Sequence, residues 1–259
     1  MSDATRPSVT EIAPGVFIAG VATPEYDVRG ALVIGRTHAL VWDTLTHPRD
    51  MAPFASMIAD RHLVIAYSHA DWDHVWGTAG LPWDGAQIVG HERCLARFSG
   101  DVPGTLASKR AAEPGAWDDV RLLPPTRAFS TTLAIDLGGV TVEMHHLPGH
   151  TEDCLVGFVN GPGVLLAGDT VETPLPVVPC EAPLHGWIAQ LRAWAADARV
   201  RIVVPAHGRI GGVEVAHATV EYLQALADGA PIVPSGPLDP FYADTHRDNL
   251  GWRGPSRRA

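Results

Sequence analysis

Leu63-Val-Ile-Ala-Tyr67, running straight into Ser68-His69-Ala70-Asp71-Trp72-Asp73-His74, is the stretch on which the reading of this chain turns. Five consecutive apolar residues, too few for a helix, read as a strand buried on both faces. It delivers four metal-ligand side chains to the point where a buried scaffold meets solvent. In extended backbone alternate residues share a face, so His69, Asp71 and Asp73 point the same way. His74 joins Asp73 as the chain turns toward a helix. Left unpaired, the clustered carboxylates would repel one another, and a divalent cation removes that cost. The plainer alternative, a polar loop of helix caps, accounts for one His-Asp pair more readily than for all four residues.

Upstream, Val16–Ile18, Ala31–Gly35 and Ala39–Asp43 read as short strands, the last ending on a carboxylate. From Pro48 to His62 the apolar positions Met51, Phe54, Ala55, Ile58 and Ala59 recur at helical spacing. Strand, helix, strand in that order predicts an α/β layer. Downstream, two hairpins follow, Leu133–Leu137 with Val140–Met144 and Cys154–Val159 with Val164–Ala167. Leu184–Ala198 reads as an amphipathic helix, Val200–Val204 as a strand and Val213–Ala227 as a helix. Residues 90–132 are rich in Pro and Gly. Apart from a short helix at Glu92–Phe98 they read as a loop or lid inserted in the domain. Residues 231–259 read as a C-terminal tail, partly frayed. No repeat or linker divides the chain, so 1–259 is read as a single domain.

Three further ligand-type residues follow apolar strands. His150 comes after a Pro148-Gly149 turn, Asp169 ends Val164-Leu-Leu-Ala-Gly168, and His207 follows Val200–Val204 and Pro205-Ala206. An antiparallel hairpin returns its last residue beside its first, which predicts that His150 and Asp169 end close together.

Composition removes other classes. With 19 Lys+Arg against 29 Asp+Glu, the net charge of −10 argues against nucleic acid as the main partner. No apolar run approaches the roughly 18 residues of a membrane span. The N-terminus lacks a charged-then-apolar signal segment, and three dispersed cysteines suit a reducing compartment, so a cytoplasmic protein is expected.

These motifs resemble the metallo-β-lactamase superfamily, whose αββα sandwich, an α/β (α+β layered) fold, carries a dinuclear metal site. The family pattern HxHxDH, then His, Asp and His, is matched by His69-x-Asp71-x-Asp73-His74, His150, Asp169 and His207. Pro148-Gly149-His150-Thr151, Gly168-Asp169-Thr170 and Pro205-Ala206-His207-Gly208 match its local wording, over about Val9 to Gly212. The resemblance implies that His69, Asp71 and His150 hold one metal. Asp73, His74 and His207 would hold the second, and Asp169 would bridge. Asp43 and Thr151 would support ligands from behind. It further implies a hydrolase in which a bridging hydroxide cleaves an ester, thioester, lactone or amide of a small molecule. Asp73 would orient that nucleophile and pass its proton to the leaving group. A diiron redox enzyme and a metal-binding regulatory domain with little turnover stay open, as does a homodimer.

One departure matters. Asp71 stands where the family usually has a second histidine. Zinc is the metal implied by family, but three carboxylates set against the four positive charges of two divalent ions raise iron or manganese. The flavodiiron relatives place Glu here and bind iron. Substrate contacts are expected from Arg209, Trp72 and Trp76. The 90–132 segment adds Arg93, Arg97, Lys109, Arg110, Arg121 and Arg127 as carboxylate partners.

Overall fold

Two mixed β-sheets lie face to face, with helices on both outer sides. The computed structural model describes residues 7–234 and 236–254; the Arg257-Arg258 end of the expected tail lies outside them. The first sheet runs in sequence order: β1 (Thr10–Ala13), β2 (Val16–Ala22), β3 (Asp27–Ile34), β4 (His38–Trp42), β5 (His62–Ala66), β6 (Gln87–His91) and β7 (Arg127–Phe129). Pairing is antiparallel as far as β4 and parallel from there to β7. The second sheet is ordered β12 (Ile202–Pro205), β11 (Val164–Gly168), β10 (Leu155–Val159), β9 (Thr141–His146), β8 (Thr132–Asp136). Only β11 and β12 pair in parallel.

Strand alternation sorts the apolar residues into three layers. Val33, Leu40, Val64 and Trp42 meet Leu155, Leu166, Met144 and Val204 between the sheets. Their sequence neighbours Leu32, Val41 and Ile65 point the other way. They pack with Phe54 and Ile58 of helix α1 (Ala52–Ile58) and with Trp76 and Trp117. Val156, Leu165 and Val203 face the opposite outer side. There Trp187, Ile188 and Leu191 of α5 (Leu184–Ala196) and Val220 and Leu223 of α6 (Val213–Asp228) cover them. Both central strands are thus apolar on both faces, which is why they read as unbroken runs. The fold is the expected αββα sandwich.

Three expectations need correcting. Residues 90–132 are not mostly loop: α3 (Glu92–Arg97) is followed by α4 (Asp101–Ala112), twelve residues long. Pro103 lies in the first turn of α4, where its missing N–H costs nothing, and Gly104 beside it keeps its N–H, so neither breaks the helix. The region after 230 is not merely a tail. It contains α7 (Pro240–Asn249), with Asp239 accepting from the Tyr242 N–H at 2.9 Å and Pro240 at the first helical position. Asn249 fastens α7 to the body: its side chain donates to the Pro176 carbonyl (2.7 Å) and accepts from the Val178 N–H (2.9 Å). The expected helix from Pro48 is a 3₁₀ turn (Pro48–Met51) followed by α1, and it ends where Ala59 takes φ 53°. Among the described residues no helix is long and apolar enough to cross a membrane.

Candidate metal centre

Each candidate ligand sits just past a strand of one sheet or the other. His69, Asp71, Asp73 and His74 follow β5, the last three at the start of a single helical turn, α2 (Trp72–Val75). His150 lies between β9 and β10, Asp169 follows β11 and His207 follows β12. The donor atoms fall into three sets, each within 4.8 Å: His69, Asp71 and His150; His69, His74 and Asp169; Asp73, His74 and His207. Asp169 straddles the groups. Its Oδ2 is 3.6 Å from the Nε2 atoms of both His69 and His150, and its Oδ1 is 3.3 Å from those of His74 and His207. The nearness of His150 and Asp169 expected from the hairpin is therefore present.

All four imidazoles are held by Nδ1 and present Nε2 inward. His74 Nδ1–H donates to Asp43 Oδ2 (2.9 Å), His150 to the Val177 carbonyl (3.2 Å) and His207 to the Asp27 carbonyl (2.6 Å). Ser68 gives its hydroxyl hydrogen to Asp43 Oδ2 (2.7 Å), so its oxygen accepts from His69 Nδ1–H at 2.9 Å. Asp43 also accepts the Ser68 backbone N–H at 2.7 Å. One buried carboxylate therefore orients two rings, one of them through a hydroxyl. Its own φ of 58° is left-handed, a region Asp tolerates better than most residues. Thr151 does not reach a ring. Its hydroxyl meets Cys154 Sγ at 3.0 Å, and its carbonyl accepts from the Gly149 N–H, closing the His150 turn. Gly149 must be Gly, because a Cβ there would lie 2.3 Å from the Trp187 ring. That buried indole donates to the Thr170 carbonyl at 2.9 Å, beneath the Asp169 turn.

A divalent cation fits this donor set. His69 Nε2, His74 Nε2 and Asp169 Oδ1 are buried and have no hydrogen-bond partner among the described residues. Such atoms are costly unless something binds them. Without a cation, protons take that place. Burial disfavours the charged rings, but Asp71 and Asp169 outweigh it at His150 and bring its pKa to about 9. Asp169, Glu172 and Asp73 bring that of His207 to about 10. Burial would raise the Asp169 carboxyl, yet His207, His74 and His69 hold it well below the usual range.

Several neighbours take roles that the sequence does not mark, although Arg97 was expected as a carboxylate partner for substrate. Arg97 of α3 lies with one terminal nitrogen 2.7 Å from Asp71 Oδ1, and contacts Asp101 (2.8 Å) and buried Asp153 (3.2 Å). Asp153 in turn accepts the Ala70 N–H at 2.8 Å. Tyr26, on the turn between β2 and β3, packs edge-on against His207, with ring centroids 4.9 Å apart. Burial and the adjacent Asp73 carboxylate keep its hydroxyl protonated. Buried Glu172 accepts from the Tyr242 hydroxyl at 2.9 Å and the Val177 N–H, behind His150.

Two large clefts flank the centre. One, of about 870 Å³, runs along Arg97, His150 and Pro183. The other, of about 830 Å³, is lined by Tyr26, His47, Trp72, Lys109 and Trp117. There His47 stacks on Trp117 (4.3 Å between centroids), and the Lys109 ammonium sits 3.7 Å above the Trp72 ring. Trp76, expected at the substrate, is fully buried behind Trp72. Arg209 is exposed, 3.7 Å from Glu214, and lines neither cleft. Arg110 donates to the Trp117 and Val120 carbonyls, and Arg93 pairs with Glu152.

The family model for the metallo-beta-lactamase superfamily matches residues 29–207, and the chain belongs to that superfamily. Solved structures resemble it at low identity. A metallo-beta-lactamase from Pontibacter korlensis shares 20% identity at a TM-score of 0.65, covering 85% of this chain and 99% of that one. One from Hirschia baltica shares 18% at 0.60, covering 88% and 100%. FIM-1 from Pseudomonas aeruginosa, in its mono-zinc form, shares 16% at 0.64, covering 85% and 96%. No curated protein matches the sequence.

Proposed function

We propose that this chain is a metal-dependent hydrolase of small-molecule esters, thioesters, lactones or amides. One observation carries the reading: four Nδ1-anchored imidazoles aim their Nε2 atoms at one another around Asp169. His69, Asp71 and His150 would hold one divalent ion, and Asp73, His74 and His207 a second. Ions bound there supply Lewis acidity and activate water. The remaining work falls to side chains. Asp73, 5% exposed, faces His207 at 3.7 Å and the Tyr26 hydroxyl. It is placed to hold the attacking water and then return a proton to the leaving group. Tyr26, protonated and at the mouth of the 830 Å³ cleft, is placed to donate to the substrate oxygen that gains charge.

The substrate body would lie in that cleft. Its walls are the Trp72 ring and the His47–Trp117 stack, and among the described residues no carboxylate lies within ion-pair distance of Lys109. A flat acyl group with a carboxylate or other acceptor end suits it.

The test is protein purified without added metal, analysed for its elements and assayed on a panel of esters, thioesters, lactones and β-lactams. β-Lactams are included because the structural neighbours are named as their hydrolases. Turnover that a chelator abolishes and a divalent ion restores is the expected result. Full metal loading with no turnover on any of them would point instead to a regulatory metal domain. Iron content with oxygen consumption would point to the redox alternative.

A further inference from the structure

Asp71 replaces an imidazole with a carboxylate, and a carboxylate differs in having two donor atoms. Only one of them faces the centre. Oδ2 lies 3.5 Å from His69 Nε2 and 3.3 Å from His150 Nε2, whereas Oδ1 is engaged by Arg97 at 2.7 Å. Arg97 is itself fixed. Its other terminal nitrogen reaches Asp153, 0% exposed, and Asp153 is tied to the Ala70 N–H one residue before Asp71. Its Nε and the same terminal nitrogen that faces Asp71 also meet Asp101, four residues along at the start of α4. The guanidinium is shared among three carboxylates, so it does not simply cancel the charge of Asp71. What it does is occupy one oxygen.

We propose that Arg97 makes Asp71 a one-oxygen ligand, a stand-in for the single nitrogen of the usual imidazole, and thereby sets the metal preference of the His69–Asp71–His150 site. This rests on the reading of that triad as a metal site, not on any hydrolytic activity. Larger, harder ions take more oxygen ligands and gain from carboxylates that chelate through both oxygens. Zinc is satisfied by four single donors. With Oδ1 held by Arg97, chelation is blocked and the site keeps a preference for zinc over manganese. That acts against the drift toward hard metals that an aspartate alone would bring. Arg97 is a positioning residue, since it acts only through Asp71.

The experiment is equilibrium dialysis of the full chain against zinc and manganese together, followed by elemental analysis, with folding checked by circular dichroism. Arg97→Gln should shift the zinc-to-manganese ratio at one site toward manganese by about tenfold, the usual scale for removing a partner behind a ligand. Arg97→Lys should keep most of the parent ratio. Asp153→Asn, whose remaining carbonyl oxygen can keep the Ala70 N–H while its neutral amide loosens Arg97, should shift it in the same direction but less. It also serves if Arg97→Gln does not fold. In an Asp71→His background, Arg97→Gln should leave the ratio unchanged, because no second oxygen remains to be freed. An unchanged ratio in both Arg97→Gln and Asp153→Asn would overturn the proposal. So would equal loss of both metals in these variants, or an undiminished shift in the Asp71→His background.

Discussion

The two sides of the centre are built from similar ligands but are finished differently. Beside His69, Asp71 and His150, nearly every charge is already paired. Arg97 is surrounded by Asp71, Asp101 and Asp153, and Arg93 is taken by Glu152. Beside Asp73, His74 and His207 the wall is aromatic, with Tyr26 against His207 and Trp72 leading to Lys109, which has no acid partner among the described residues. Paired charges in a rigid cluster fix geometry, whereas an unpaired cation over an aromatic floor is free to meet a ligand. The first side reads as the anchor and the second as the face that works on substrate.

The largest expected effect removes what the sides share. Asp169→Ala should lose both ions, since each Asp169 oxygen faces one pair of imidazoles. Elemental analysis that still found two metals per chain would show the sides to be independent. Next, Asp73→Asn should cut kcat by about 10²–10⁴, the range for a positioned acid–base group. The His69–Asp71–His150 side should keep its ion. A variant as active as the parent in a steady-state assay would remove the working role from the open side.

Asp43→Asn keeps a residue that tolerates the left-handed backbone but weakens the acceptor behind His74. Metal affinity should fall about 10- to 100-fold by calorimetry, chiefly on the His74 side. Equal losses on the two sides would mean that the Ser68 relay to His69 matters as much as the direct bond.

Protons give a fourth handle. In metal-free protein His150 and His207 keep their protons up to about 9 and about 10, because nearby carboxylates overcome the burial that would strip them. These folded values lie above that of an unfolded His, so the rings stabilise the metal-free fold below about pH 6.5 and cease to do so above about 9–10. An Nε2 must shed its proton to take a cation. Affinity should therefore rise with pH, by up to about tenfold per unit for each proton released. Calorimetry in buffers of different ionisation heat counts those protons, and a count of zero near neutral pH would contradict this. The smallest effect is expected from Lys109→Met, about a fewfold rise in KM for a carboxylate-bearing ester with metal content unchanged. A neutral ester should show no rise.

Much of this was legible from the chain because of where the ligands fall. Each of His69, His150, Asp169 and His207 comes within a few residues of an apolar run long enough to read as a strand, and strand ends meet at the edge of a sandwich. The αββα layering follows from the same runs. Asp153, Tyr26 and Glu172 were not legible as site residues, and Arg97 was legible only as a carboxylate partner for substrate, because their roles depend on contacts between separate elements and no local spacing marks them. The helix α4 was obscured by Pro103 and Gly104, which count against a helix interior but not against its first turn. α7 did carry a local signal, Asp239-Pro240, that a search for caps within the Pro-rich region would have found. His47 looked unremarkable alone; only the fold stacks it on Trp117.

Trp187 carries an optical consequence. Its indole lies under Gly149 on one side and donates to the Thr170 carbonyl on the other, so it touches the turns that present His150 and Asp169. A wholly buried indole emits toward the blue, and its yield responds to small shifts of adjacent dipoles. The chain therefore contains a fluorophore of its own beneath the turns through which the second sheet supplies two ligands. Filling the centre should be visible as a change in blue-edge emission that Trp187→Phe removes.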